Sequence, residues 1–228
     1  MMRSQNQRER GFTLVEMMIV TTVIGVLASV TVPSLLGSSV AANEAAVIAT
    51  MRAIATAQFQ FQSSGALDED GDATFEYGTL GELGALEPLR GSSAPLSRNL
   101  LSQGVAGVDA QGRVLRHGYY FRMFLPDAAG AGVAATAANA ALIDATQAST
   151  WWVCVAWPVE EGTTGNCTFF VNQQGQVLRS RRPGYSGTTS QPAAGCGLFG
   201  NATVDHIAAP SIAADALGSD GKTWTLVQ

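Results

Sequence analysis

The chain has 228 residues, of which 46% are hydrophobic and only 14% are charged, and its formal net charge is −5. This length allows one domain of ordinary size plus an appendage. Because an acidic chain without a basic stripe binds nucleic acid poorly, we expect no nucleic-acid partner.

A short basic leader at the N-terminus is followed by a long apolar run. The leader ends at Gly11, and from Phe12 to Leu36 the only ionisable side chain is Glu16. About 25 helical residues span roughly 37 Å, which is enough to cross the hydrocarbon core of a bilayer. A cleaved secretory signal has a shorter apolar core, of about 7–15 residues. The length of the run therefore favours a membrane-spanning helix.

Glu16 is the feature that a plain membrane anchor does not explain. An unpaired carboxylate at the centre of a membrane costs about 2.5–3.5 kcal/mol, and less near the interface. An ionisable residue in such a segment is therefore a candidate functional residue that needs a partner.

The segment around Glu16 resembles the prepilin-type cleavage and methylation motif of type IV pilins and type II secretion pseudopilins. The resemblance implies that prepilin peptidase, a membrane aspartyl peptidase, cuts after Gly11 and that the new N-terminal Phe12 becomes N-methylated. It also implies that Glu16 of one subunit neutralises the amino group of Phe12 on a neighbour in a filament. Pro33 stands where many members carry a helix-kinking proline, and we count it with the assembly positions. The matching residues are Arg10-Gly11-Phe12-Thr13-Leu14-Val15-Glu16-Met17-Met18-Ile19-Val20.

Helical spacing continues well beyond the apolar run. Gly37-Ser38-Ser39 are weak helix formers and predict a place where the helix bends or unwinds locally. An amphipathic half follows, and we expect it to pack on a sheet, with Glu44 at the edge of the contact. The whole helix is predicted from about residue 12 to 62, roughly 75 Å, and Ser63-Ser64-Gly65 closes it. Its predicted packing positions are Val40, Glu44, Val47, Met51, Ile54, Gln58 and Phe61.

An acidic segment comes directly after the helix. Asp68, Asp70 and Asp72 alternate, and Glu76 follows four residues later. Oxygen ligands at this spacing can surround Ca²⁺, as they do in EF-hand-like loops. The match is partial, because Thr79 stands where such a loop carries its bidentate glutamate. Two interpretations stay open, a calcium site and a solvated acidic turn, and no other cofactor is expected.

The remaining chain alternates strand-like segments with turns, which predicts an antiparallel meander. Segment 77–83 is predicted to be the end of a strand that runs into a short helix, and the alanine-rich segment 128–146 is predicted to be an exposed excursion that is partly helical. From about Tyr77 to Arg179 the order of segments also resembles the globular part of many pilin-like proteins. The predicted strands are 116–125, 150–158, 167–172, 177–179 and 223–227.

Three cysteines lie in the C-terminal half of the chain. If that half is exported, one disulfide is expected. Cys154 and Cys167 fall on strands that we expect to form one hairpin, so we predict that they pair. The alternatives pair either of them with Cys196 or leave three free thiols.

Enzyme motifs are missing from the sequence. The chain has two histidines, His117 and His206, and no Gly-x-Ser-x-Gly, Cys-x-x-Cys, His-Glu-x-x-His or phosphate-loop pattern. We therefore expect no catalytic activity.

These observations and the resemblance predict an α+β, pilin-like fold, with a long N-terminal helix packed on an antiparallel sheet. The expected parts are a leader, 1–11; a transmembrane and assembly half-helix, 12–36; an amphipathic half-helix, 37–62; and a head, 63–228. The resemblance implies a structural subunit of a type IV pilus or type II secretion pseudopilus, with other pilin or pseudopilin subunits as partners. Before assembly, the protein would cross the bacterial inner membrane once, with its head in the periplasm. After assembly, it would be part of a periplasmic or cell-surface filament. The alternative is a membrane-tethered periplasmic binding module that does not polymerise.

Overall fold

The structure, a computed structural model, describes residues 11–200, 203–209 and 211–227, apart from the side chains of Val32 and Pro33. The leader before Gly11 and any assembly role of the Pro33 side chain therefore lie outside the described residues. The chain divides into two compact units, Met1–Ser39 and Val40–Gln228. Helix α1, Leu14–Ser63, contains the boundary between them. Its backbone is helical throughout, so the local unwinding predicted at Gly37-Ser38-Ser39 does not occur.

The second unit is built on the C-terminal half of α1. The predicted packing positions of this half are buried, except that Glu44 is half-buried, as expected for the edge of the contact. Gln58 is the polar member of the buried stripe. Its Nε2 donates to the carbonyl of Gly78 at 2.7 Å, and its Oε1 accepts from the Gly78 amide at 3.0 Å. The side chain therefore pairs with the backbone as a neighbouring strand would, which removes the cost of burying an amide.

Four short helical segments connect α1 to the sheet and interrupt it. They are α2 (Leu80–Leu83), α3 (Gln103–Ala106), a 3₁₀ helix (Ala137–Leu142) and α4 (Ala145–Ala148). Helix α2 begins at a capping box, in which the Thr79 hydroxyl accepts from the Glu82 amide and Glu82 accepts from the Thr79 amide. Glu82 also pairs with the buried Arg90 at 3.3 Å.

The described residues form eight strands joined by antiparallel pairing. The order across the sheet is β1-β2-β4-β5-β6-β8-β7, and β3 pairs with the end of β2. The fold is therefore the predicted α+β arrangement of a long N-terminal helix and an antiparallel sheet. The strands are β1 (Arg113–Arg116), β2 (Tyr119–Pro126), β3 (Gly132–Ala134), β4 (Val153–Pro158), β5 (Cys167–Asn172), β6 (Leu178–Arg181), β7 (Ala216–Leu217) and β8 (Thr223–Leu226).

The sheet buries side chains on both faces, because successive strand residues point to opposite sides. The face that packs against α1 holds Cys154 and Ala156 of β4, whereas Val153 and Val155 belong to a second apolar cluster. The second cluster is completed by residues of the C-terminal segment, including Cys196 and Trp224. The segment after residue 182, for which the sequence predicted only a last strand, therefore covers the far face of the sheet.

Two sequence predictions differ from the structure near β2. Residues 116–118 were predicted to start the strand, but His117 and Gly118 form the turn between β1 and β2, with φ of 51° and 72°. A two-residue hairpin turn with positive φ at both positions matches the twist of the strands. The alanine-rich segment 128–146 is also not wholly an excursion, because β3 within it pairs with β2.

Candidate functional site

The N-terminal half of α1 exposes apolar side chains around its full circumference. Every residue from Gly11 to Thr31 is exposed, and Leu14, Met18 and Leu27 are between 60% and 76% accessible. By length and composition, α1 is the one helix among the described residues that could cross a membrane. An apolar surface of this extent is left for surroundings other than the chain itself.

Four hydroxyl groups in this half are satisfied within the helix. Thr21, Thr22, Ser29 and Thr31 each donate to a backbone carbonyl three or four residues earlier, at 2.7 to 3.0 Å. Such bonds suit an apolar environment, where no water is present to accept a hydrogen bond from the hydroxyl. The hydroxyls therefore need no partner outside the helix.

Glu16 differs from these hydroxyls. It lies in the first turn of α1, and its amide donates to the Thr13 hydroxyl at 3.2 Å. Thr13 thus caps the helix start, and a carboxylate in the first turn is favoured by the helix dipole. Within the described part of the chain, the Glu16 carboxylate has no hydrogen bond or ion pair. It is the one ionisable group of the apolar half and has no partner there.

Gly11 and Phe12 precede the helix and are exposed, Phe12 to 78%. A Cβ atom added to Gly11 would meet nothing within 4 Å. The peptide bond between Gly11 and Phe12 is therefore accessible at Gly11. Within the described structure, no packing contact requires a glycine at this position.

The acidic loop brings together three of its four predicted ligands. Carboxylate oxygens of Asp68, Asp70 and Glu76 all lie within 4.8 Å of one another, with Glu76 buried and the two aspartates exposed. Asp72 lies outside this group, and its Oδ1 accepts from the Thr74 amide at 2.7 Å. The alternating aspartates of the sequence are therefore not equivalent in the structure.

The predicted disulfide between Cys154 and Cys167 is wrong, since all three cysteines are free and buried. The strands are neighbours, but Cys154 faces Val171, four residues away from Cys167 in β5. Four strand residues span roughly 13 Å, about twice the Cα separation that a disulfide allows. Cys196 belongs to the opposite apolar cluster, so the sheet separates it from the other two.

Burial keeps these thiols protonated. It raises the pKa of Cys154, and it raises that of Cys167 to about 11, with nearby Glu44 adding to the effect. A thiolate is the reactive form of cysteine, so the structure describes packed rather than reactive thiols.

Two residues that the sequence interpretation missed support these sites. Thr13 caps the helix in which Glu16 lies, and the Thr13-Leu14-Val15-Glu16 spacing is the signal that could have identified it. Arg90 is buried close to Glu76, and its charge acts on that carboxyl group. No local pattern indicates this electrostatic interaction, because it acts across a loop.

Comparison with known proteins gives two family matches. A family described as "Protein of unknown function (DUF2950)" matches residues 34–189, and a prokaryotic N-terminal methylation motif matches residues 6–32. No solved structure matches the chain.

Curated relatives match over the N-terminal region. Over 48 residues the chain is 46% identical to a type II secretion system core protein G of Klebsiella pneumoniae, covering 21% of this chain and 34% of the relative. Over 58 residues it is 38% identical to the type IV major pilin protein PilA of Myxococcus xanthus, covering 25% and 26%. The chain thus spans about a third or less of the length of these two relatives. It belongs to the DUF2950 family, and its methylation motif, relatives and fold make it a pilin-like protein.

Proposed function

We propose that this chain is a structural subunit of a type IV pilus or a type II secretion pseudopilus that assembles through the N-terminal half of α1. The observation that carries the proposal is the isolated carboxylate of Glu16 in an exposed apolar helix, where the hydroxyls of Thr21, Thr22, Ser29 and Thr31 are satisfied internally. The two relatives are named as a secretion-system core protein and as a major pilin, which supports this class. The proposal assigns no catalytic activity to the chain.

Cleavage after Gly11 would supply the missing partner. Prepilin peptidase would release residues 1–11 and leave a positively charged amino group on Phe12, which is then methylated. In a packed, apolar filament that amine on one subunit would pair with Glu16 on its neighbour. Opposite charges attract far more strongly in such surroundings than in water, and an unpaired charge there is strongly penalised. Pairing would therefore set the axial position of each subunit.

Orientation follows from the leader. Its Arg3, Arg8 and Arg10 favour the cytoplasmic side of the inner membrane before cleavage, which would place the head in the periplasm. The proposal covers a major pilin, a minor pilin and a pseudopilin.

The decisive test is Glu16→Gln, which removes the charge and keeps the shape. Expressed with the assembly machinery of its host, this variant should stay in the membrane fraction and be lost from sheared filaments, by at least about tenfold if the pair is worth 1.4 kcal/mol or more. Thr22→Val is the matched control, because the Thr22 hydroxyl bonds only within its own helix. If Glu16→Gln enters filaments as well as the wild type does, the assembly proposal fails in favour of a tethered binding module.

Processing is tested separately by intact mass. The mature chain should begin at Phe12 and carry one added methyl group, whereas Gly11→Leu should keep the precursor mass. Misfolding would not explain that result, because Gly11 is exposed and a Cβ atom added there meets nothing within 4 Å among the described residues. Gly25→Ala, at another open glycine of the same segment, should be processed normally. A wild-type protein that retains Met1 in its host would refute the processing step.

A further inference from the structure

Glu76 is a buried carboxylate with one unused oxygen. Its side chain is 0% exposed, and its Oε1 accepts from the Glu69 amide at 3.0 Å. Its Oε2 has no hydrogen-bond partner within the described chain. A buried polar atom without a partner loses its hydration and gains nothing in return, so the lone pairs of this oxygen are available to bind a ligand.

Arg90, the cation whose charge acts on Glu76, does not supply that ligand. Burial raises the pKa of Glu76, and Asp70 adds to this rise, while the Glu69 amide and Arg90 oppose it. Arg90, however, is within ion-pair distance of Glu82 and not of Glu76, and it also donates to the carbonyl of Tyr77. Arg90 therefore lowers the pKa of Glu76 from a distance, and the Glu76 Oε2 atom is left without a bonded partner within the described chain.

Two exposed carboxylates complete the group on the solvent side. Asp68 and Asp70 place oxygens within 4.8 Å of each other and of a Glu76 oxygen. The hydrogen bonds that these two carboxylates now accept are long, each at 3.3 Å. Asp68 accepts from the Ala73 amide. Asp70 accepts from the Asp72 amide and from the Thr146 hydroxyl. Carboxylate oxygens with such long bonds keep lone pairs for another ligand.

We propose that Asp68, Asp70 and Glu76 bind one Ca²⁺ ion, with Glu76 as the buried anchor and the two aspartates closing the site from solvent. This site lies in the loop after α1 and goes beyond the assembly function, which does not use it.

The geometry and chemistry favour calcium over other divalent ions. All three ligands are hard oxygen donors, and the cluster contains no histidine or cysteine to attract zinc. Ca²⁺ accepts about six to eight oxygen ligands in variable geometry, whereas Mg²⁺ demands near-ideal octahedral geometry and keeps several of its waters, so three carboxylates of a loop suit Ca²⁺ better. Water or backbone carbonyls would fill the remaining positions.

The experiment is calorimetric titration of the full chain, held in detergent micelles and stripped of metal, with calcium chloride. We expect one ion per chain with a Kd of about 0.1–1 mM, the range of extracellular calcium modules, and at least about tenfold weaker binding of magnesium chloride. Asp70→Asn and Glu76→Gln should each weaken calcium binding by at least about tenfold, because ligand charge sets the affinity. The exposed position of Asp70 makes its variant the safer one for folding.

Asp72→Asn is the matched control. It removes the same charge from the same loop, but at a residue outside the cluster, so its Kd should stay within about threefold of the wild type. A linear EF-hand-like pattern would instead make Asp72 a ligand. The proposal is overturned if the wild type shows no calcium binding up to about 10 mM, well above the weakest range for such modules, or if Asp70→Asn weakens it no more than Asp72→Asn does.

Discussion

The two halves of α1 are both rich in apolar residues, but they arrange these residues differently. Before Ser39 they surround the helix, and the side chains from Leu14 to Thr31 are exposed. After Val40 they form one stripe, in which Val47, Met51 and Phe61 are fully buried. A stripe can be covered by a single sheet from the same chain, whereas a helix that is apolar on all sides needs a membrane or several neighbours. The distribution of apolar residues thus separates the folding half from the half available for assembly.

The largest effect on folding should come from the striped half. Phe61→Ala should lower the free energy of unfolding of the head by about 3–5 kcal/mol, because it leaves a cavity at a fully buried site. Urea unfolding of the full chain in micelles, followed by tryptophan fluorescence, measures this change. Phe59→Ala, two residues earlier and 68% exposed, is the matched control and should cost less than about 1 kcal/mol.

Leu27→Ala extends the same comparison to the other half. Leu27 is 63% exposed, so its truncation should leave the unfolding of the head unchanged within about 0.5 kcal/mol. A loss as large as that for Phe61→Ala would mean that the apolar half also contributes to the core of the head, and the division between the two halves would fail.

The next largest effect concerns the buried ion pair of the head. Arg90→Met should destabilise it by about 3 kcal/mol, because it leaves Glu82 charged and buried. Arg113→Met is the control, since its ion pair with Asp109 is more exposed and should be worth no more than about 1 kcal/mol. Equal losses in thermal or urea unfolding would show that burial does not distinguish the two pairs.

A smaller effect is expected at Gln58. Replacing it with leucine leaves the amide and carbonyl of Gly78 without their partners, which should cost about 1–3 kcal/mol in the same unfolding assay. Gln60→Leu changes an exposed glutamine of the same helix and should be neutral within about 0.5 kcal/mol. If both variants were neutral, the contact of Gln58 with the loop would not contribute to stability.

The smallest effect should follow reduction. Because the cysteines are free, added reductant should change neither the intact mass nor the free energy of unfolding. In the folded chain Cys167 should react slowly with a thiol reagent near pH 8. Its pKa of about 11, against an ordinary 9.0, lowers the thiolate fraction roughly 100-fold. Between these two values the unfolded thiol ionises first, so stability should fall as pH rises. A protein that gains mass on reduction would contradict the free thiols.

Periodicity was sufficient to predict the helix and the central strands. The buried stripe from Val40 to Phe61 follows the predicted spacing, and β5 has the predicted limits, because local burial decides both. Register and long-range contacts could not be predicted in this way. The position of Cys154 opposite Val171 depends on how two strands align, and the selection of Glu76 over Asp72 depends on how a loop folds back. Strands as short as β3 and β7 carry too few residues to show a periodic pattern, and they are recognised by their pairing with β2 and β8.

The back-bonded hydroxyls of the apolar half have a further consequence. A helix that satisfies its own polar groups loses almost nothing when hydrocarbon chains around it are replaced by protein side chains, because the two environments are similarly apolar. The apolar residues and back-bonded hydroxyls therefore contribute little to the free-energy difference between a helix surrounded by lipid and a helix surrounded by protein. Under the proposed assembly, Glu16 is the group that would respond strongly to the change of environment, so one ionisable side chain would govern both extraction from a bilayer and return to it.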